Sequence, residues 1–150
     1  MAKTITFTAK DVCEALGVAK HHLRIWTNKL EPFSNSATKE RSARKFTLGD
    51  LSYLAFVDYL EVQYGISINT IALLERRLYD LINSPSLKES GDRSFVFICF
   101  HSQTCRWLKS DDLASEGLIV NTHNAHSKFN NYLGLSPKQV EMQLGLAMAS

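Results

Sequence analysis

Thr8–Leu30, TAKDVCEALGVAKHHLRIWTNKL, is the stretch whose reading decides the fold. Thr8 followed three residues later by Asp11 has the form of a capping box: the threonine hydroxyl faces a free backbone N–H and the acid sits in the positive first turn. From that start Ala9, Val12, Cys13 and Leu16 recur at i, i+3, i+4 and i+7, one buried stripe of a short helix, and Gly17 is placed to leave it with positive φ. A second helix is expected from about Ala19 to Lys29. At about 100° per residue Leu23, Trp26, Thr27 and Leu30 gather on one side, while His21, Arg24, Ile25 and Asn28 fall on the other. The first set reads as core and the second as a polar, cationic outer face. Two such helices joined by Leu16-Gly17-Val18 form a helix-turn-helix, which presents one helix to a nucleic-acid groove.

The distribution of charge agrees with a polyanionic partner. The net charge of the 150 residues is +2. Residues 1–50 hold nine Lys/Arg against five Asp/Glu, residues 51–85 two against four, and residues 86–150 six against six, so the excess is N-terminal. Between residues 20 and 47 stand Lys20, Arg24, Lys29, Lys39, Arg41, Arg44 and Lys45 against only Glu31 and Glu40. Each phosphate that such a cluster neutralises releases counterions. A solvated surface with no partner is the other reading of charge alone.

Downstream, Pro32 and the polar run Ser34–Thr38 break the helical pattern, and Lys39–Lys45 return toward Phe46, giving a basic hairpin or loop over about residues 34–46. Thr47 with Asp50 repeats the capping box, and the helix behind it carries Leu51, Leu54, Phe56, Val57 and Leu60 as far as Gly65. Ser67 then caps a fourth helix containing Ile71, Leu74, Leu78, Leu81 and Ile82, which ends near Asn83-Ser84-Pro85. Residues 1–84 are thus expected to be helical apart from the hairpin.

In order and spacing, FTAKDVCEALGV, HLRIW, RKFTLGDLSYLAFVDYL and YGISINTIALL resemble the winged helix-turn-helix DNA-binding domain of MerR-type transcription regulators, over about residues 7–82. The resemblance implies that the second helix, about 19–29, enters the major groove, that Arg24 helps hold the DNA, and that Arg44 and Lys45, closing the basic wing, approach the phosphate backbone. Two departures stand out. Ile25-Trp26 replaces the family's usual pair of aromatics, and Pro85 and Gly91 interrupt the chain where the family has a long dimerising helix. Ile25 is then free to meet a thymine methyl or a partner protein.

Residues 85–93, PSLKESGDR, read as a linker. Ser94–Phe100 is a nearly continuous apolar strand, Cys105–Lys109 can pair with it across His101–Thr104, and Leu118-Ile119-Val120 supplies a third short strand. A strand apolar on both faces must be covered on both, by the chain's own helices or by another copy. A helix is expected from about Ala125 to Leu133 and a last one from Ser136-Pro137. The expected fold class is therefore mainly α with a small β component: a winged helix-turn-helix over residues 1–84, then a small α+β unit over 94–150 for dimerisation or for binding a partner or ligand.

Cys99, His101 and Cys105 invite a metal reading, but no paired CxxC and no fourth ligand accompany them, so neither a metal nor a cofactor is expected. His123 and His126, in Asn-rich surroundings, read as exposed or capping residues. His21 and His22 can each donate to a base edge or a phosphate, or cap the turn. Arg76 and Arg77 read as ordinary surface partners of Glu75 and Asp80. No catalytic motif is present, and an enzyme is not expected. No apolar run approaches the roughly 18 residues of a membrane span, so a cytoplasmic protein is expected.

The functional expectation is a sequence-specific double-stranded DNA-binding regulator. Lys20, His21, His22, Arg24 and Asn28 would contact bases or phosphates, and Lys39, Arg41, Arg44 and Lys45 would anchor the wing, with a homodimer formed through residues 94–150. The alternatives are an assembly adaptor that reuses the helix-turn-helix to bind protein, and an architectural or excision factor on DNA.

Overall fold

Two capping boxes set the framework. The computed structural model describes residues 6–35, 44–84, 95–108 and 116–133. Thr8 N donates to Asp11 Oδ2 at 2.9 Å and Asp11 N to Thr8 Oγ1 at 3.2 Å. Helix α1, Ala9–Leu16, starts there and ends at a left-handed Gly17 with φ 67°. At the second box Thr47 N donates to Asp50 Oδ2 at 2.9 Å and Asp50 N to Thr47 Oγ1 at 3.0 Å. Helix α3, Leu48–Tyr64, starts from it and ends at Gly65 with φ 65°. Every residue from Leu51 to Asp58 is buried, so α3 is the central helix, covered on all sides.

Between these helices lie α2, Lys20–Lys29, and a single 3-10 turn, Phe33–Asn35. A two-residue strand β1, Thr6–Phe7, pairs antiparallel with β2, Phe46–Thr47, in the register Thr6↔Thr47 and Phe7↔Phe46. This corrects the expectation that residues 1–84 are helical apart from the hairpin: strands this short have no periodicity to read, and they are fixed by burial of the Phe7 and Phe46 rings. The middle of the expected wing, residues 36–43, lies outside the described residues.

The single helix expected after Ser67 is two. Ser67 Oγ accepts from Thr70 N at 3.2 Å, capping α4, Ile68–Ala72, but a turn with Glu75 at φ 54° separates it from α5, Arg77–Ile82. The break lays α5 over the start of α3, where Tyr79 OH donates to Asp50 Oδ1 at 2.6 Å and Asn83 Nδ2 to Gly49 O at 3.3 Å. Tertiary contacts thus override an apolar spacing that continues without interruption through Ile71, Leu74 and Leu78, all of which are buried.

The later part of the chain builds a three-stranded antiparallel sheet with β3, Phe95–Cys99, between β4, Thr104–Trp107, and β5, Leu118–Asn121. Val96, paired with Trp107 and Val120, and Ile98, paired with Cys105 and Leu118, face inward. Val96, Ile98 and Val120 are fully buried in the same core as Leu51, Leu54 and Phe56. On the outer face Phe97 is covered, with the Arg106 guanidinium 5.1 Å from its ring centroid, while Phe95 and Ile119 are 40% and 44% exposed. Gly117 stands just before β5, where a Cβ would lie 2.6 Å from both the Ile98 carbonyl oxygen and Phe97 Cζ. Backbone cannot give way as a flexible side chain can, so Gly117→Ala is expected to destabilise the chain by about 2 kcal/mol in urea denaturation. An unchanged midpoint would mean that β5 can slide without loss.

The helix expected over Ala125–Leu133 is α7, Ser127–Leu133, and a short helix α6, Thr122–Ala125, precedes it, with His126 at the joint. Asn121 caps α6, its Oδ1 accepting from His123 N at 2.9 Å and Asn124 N at 3.4 Å. Strand β4 packs on α5, α6 on α3, and α7 on both α1 and α3. At the last contact Lys128 Nζ reaches Asp58 Oδ2 at 2.9 Å and the Leu16 carbonyl oxygen at 3.4 Å. The expected linker, residues 85–93, and the helix expected from Ser136-Pro137 lie outside the described residues, but chain on both sides of 85–93 enters one core. The fold class that emerges is helix-rich with a small antiparallel sheet. No helix among the described residues is long and apolar enough to cross a membrane.

Candidate nucleic-acid interface

Helix α2 is held to the scaffold by four of its residues. Leu23 and Trp26 are sunk in the core, and the indole Nε1–H of Trp26 donates to Glu61 Oε1 on α3. The other oxygen of that carboxylate, Oε2, lies 3.4 Å from His22 Nε2, and the His22 ring meets Trp26 edge-on with 4.8 Å between centroids. At the far end of α2, Lys29 Nζ donates to Asn69 Oδ1 on α4 at 2.7 Å. Both ends of the helix are thereby tied to the scaffold by side chains that do not lie on its outward face.

That outward face is the one expected from the helical periodicity. His21, Arg24, Ile25 and Asn28 are all exposed. The side chains of Lys20, Arg24 and Asn28 make no hydrogen bond or ion pair among the described residues, and the His21 ring only stacks loosely on His22 at 6.4 Å. Ala19 at the N-cap offers no side-chain acceptor to the first turn of α2, which leaves backbone N–H groups there for an anion.

The nine residues expected to touch a partner therefore separate by position. Lys20, His21, Arg24, Asn28 and Lys45 are exposed with no ion pair among the described residues. His22 is half-buried and faces Glu61 and Trp26. Arg44 is half-buried too: it donates to the Phe33 carbonyl oxygen at 3.3 Å, with its guanidinium 5.9 Å from the Phe33 ring centroid. It fastens the segment just before β2 to the 3-10 turn. Lys39 and Arg41 lie outside the described residues. Glu61, Asn69 and Phe33, which position these groups, had no legible signal, since each acts across 11 to 40 residues of sequence.

Elsewhere the titratable groups serve the fold. His126, expected to be exposed or capping, is partly buried: its Nε2 lies 3.1 Å from Ser52 Oγ, its ring stands edge-on to Phe56, and loss of hydration there pushes it down to about 4. His123 is exposed, and its backbone N–H completes the Asn121 cap. In the β3–β4 register Cys99 stands opposite Thr104 and Cys105 opposite Ile98, so the two sulfurs project from opposite faces of the sheet. The Cys99 thiol is drawn below its ordinary value by hydrogen bonds at Ser102, and burial pushes Cys105 up to about 11. Among the described residues no three His, Cys, Asp or Glu side chains come together as a metal-holding group. Arg76 reaches Asp80 at 3.3 Å and Arg77 reaches Glu75 at 3.8 Å, the surface pairing expected of them.

No model of a known protein family, no curated protein and no solved structure matches the chain.

Proposed function

We propose that the chain is a sequence-specific double-stranded DNA-binding regulator of the cytoplasm, in which α1, the turn at Gly17 and α2 act as a helix-turn-helix and the basic segment before β2 acts as its wing, in the manner of MerR-type proteins. The observation that carries this reading is the contrast between the two sides of α2. Its inner side is locked by Trp26, His22 and Lys29, while its outer side holds Lys20, Arg24 and Asn28, whose donors have no partner among the described residues. A helix fixed in this way presents its outer donors from a settled backbone, so that only the side chains remain to be ordered on binding a groove. Lys45 on the wing side and the N-terminal excess of cations supply the phosphate attraction.

Selection of bound duplexes from a random DNA pool at physiological salt, with the oligomeric state measured in the same buffer, tests the reading. Enrichment of a defined site is expected. On that site Arg24→Ala and Lys45→Ala should each weaken binding to all sequences and flatten the dependence on log[salt] by about one unit, whereas Asn28→Ala or His21→Ala should change the preferred bases. Absence of enrichment, or binding that ignores both salt and these substitutions, overturns it.

Exposed Phe95 and Ile119 on the outer face of the sheet favour a second reading, contact with protein through this face, as a homodimer or an adaptor. An inverted repeat with about one-turn spacing in the selected site would indicate the symmetric dimer. Partner capture unaffected by Arg24→Ala and Lys45→Ala would indicate the adaptor.

A further inference from the structure

We propose that Ile25 reads the C5-methyl group of a thymine in the major groove, so that the recognised site contains an A·T pair opposite the middle of α2; this rests on the DNA-binding reading above. Ile25 is the one large apolar side chain that α2 exposes, at 39%. It stands one turn after His21 and one turn before Asn28, with Arg24 beside it, and all three are exposed. The helix has already buried its apolar side through Leu23, Trp26 and Leu30, so Ile25 lies in the centre of the opposite, polar face.

The chemistry of the neighbours selects the occupant. Lys20, Arg24 and Lys45 attract a polyanion, and Asn28 offers a carboxamide whose donor and acceptor match adenine N6 and N7 as a bidentate pair. The major groove of such a polyanion displays one apolar group, the thymine methyl. The β-branched side chain is stiff at χ1 in a helix, so its methyl groups are presented with little ordering left to pay. Ile25 and Asn28 are three residues apart, about 4.5 Å along the axis, close to the roughly 3.4 Å step between base pairs. A thymine against Ile25 and an adenine against Asn28 therefore belong to adjacent or next-adjacent pairs.

Deoxyuridine tests this directly, because it differs from thymidine only by the missing methyl. Each thymine of the selected duplex is replaced singly by deoxyuridine, and affinities are measured for the full chain and for Ile25→Ala at the same salt. One position is expected at which the replacement weakens the unsubstituted chain about four- to tenfold, the worth of burying one methyl group or somewhat more, while Ile25→Ala binds both duplexes alike. Thermal melting of Ile25→Ala should match that of the unsubstituted chain, since an exposed side chain is removed. Should every deoxyuridine duplex bind as well as its parent, or should the penalty persist in Ile25→Ala, the thymine inference falls while DNA binding stands. Should no duplex be enriched at all, both fall together. Loss of capture of a protein in Ile25→Ala, with duplex binding intact, would assign the residue to a protein contact and overturn it as well.

Discussion

Acidification from about pH 7.5 to about pH 4 is expected to cost the folded chain about 3 kcal/mol through His126 alone. The imidazole packs against Ser52 and Phe56 of α3 at the joint of α6 and α7, and burial, the main cause, pushes it down to about 4 from the ordinary 6.5. His123 on α6 adds a smaller push in the same direction, the hydrogen bond at Ser52 opposes it, and Asp58 on α3 and Lys128 on α7 are paired with each other. The sign follows from linkage: the unfolded chain takes up the proton near 6.5, and the folded chain takes it up only near 4. The contribution is therefore complete above about pH 6.5, declines as the pH falls toward 4, and changes little below that. Urea denaturation of the chain and of His126→Gln across this range checks it. The substituted chain is expected to be the less stable at neutral pH, because it loses the ring packing, and to lose about 3 kcal/mol less on acidification. Parallel pH profiles would remove His126 from the account.

Asp50→Ala is expected to destabilise the chain by about 3 kcal/mol. One carboxylate oxygen accepts from Thr47 N at 2.9 Å and closes the capping box of α3, and the other accepts from Tyr79 OH at 2.6 Å and ties α5 across the start of that helix. Burial, with the hydrogen bond to Asp50 and the charge of that carboxylate, holds the Tyr79 phenol well above its ordinary value, so it remains a donor throughout the accessible pH range. Alanine at position 50 leaves a half-buried hydroxyl and a backbone N–H without their acceptor and removes an acid from the positive end of α3. Tyr79→Phe alone should cost about 1 kcal/mol, because it removes the donor along with the bond. In the double-mutant cycle the two effects should fall short of additivity by at least about 1 kcal/mol. Additive losses would show that the hydrogen bond contributes nothing beyond the cap.

What could be read from the residues was local chemistry with a fixed spacing. Thr8/Asp11 and Thr47/Asp50 act over three residues, Gly17 and Gly65 take up the left-handed conformation at helix ends, and the two faces of α2 follow from the pitch of one helix. The strands of the sheet were legible because apolar runs between turn formers have few other uses. What escaped depends on partners distant in sequence. The break at Glu75 interrupts a spacing that reads as one helix, and it answers to Asp50 and Gly49 on α3. His126 sits among asparagines that suggest a turn, yet its surroundings are Ser52 and Phe56, more than 60 residues earlier. On α2 the exposed cation and amide, Arg24 and Asn28, were legible as a face. That His22 turns back toward Glu61 and Arg44 toward Phe33 was not, because periodicity assigns a residue to a side of a helix but not to a neighbour on another element.

The bond from Lys128 to the Leu16 carbonyl oxygen spans 112 residues and ends at the very turn that separates α1 from α2. Its second partner, Asp58, has a side chain only 7% exposed and relies on the same ammonium group. Anyone transplanting the first 84 residues as an independent cassette would take the counter-charge from Asp58 and the donor from the end of α1, and would uncover the apolar side of α3 that the sheet, α6 and α7 keep from water. Altering what this chain recognises is therefore better done by exchanging the outward residues of α2 where they stand than by moving the segment to another host.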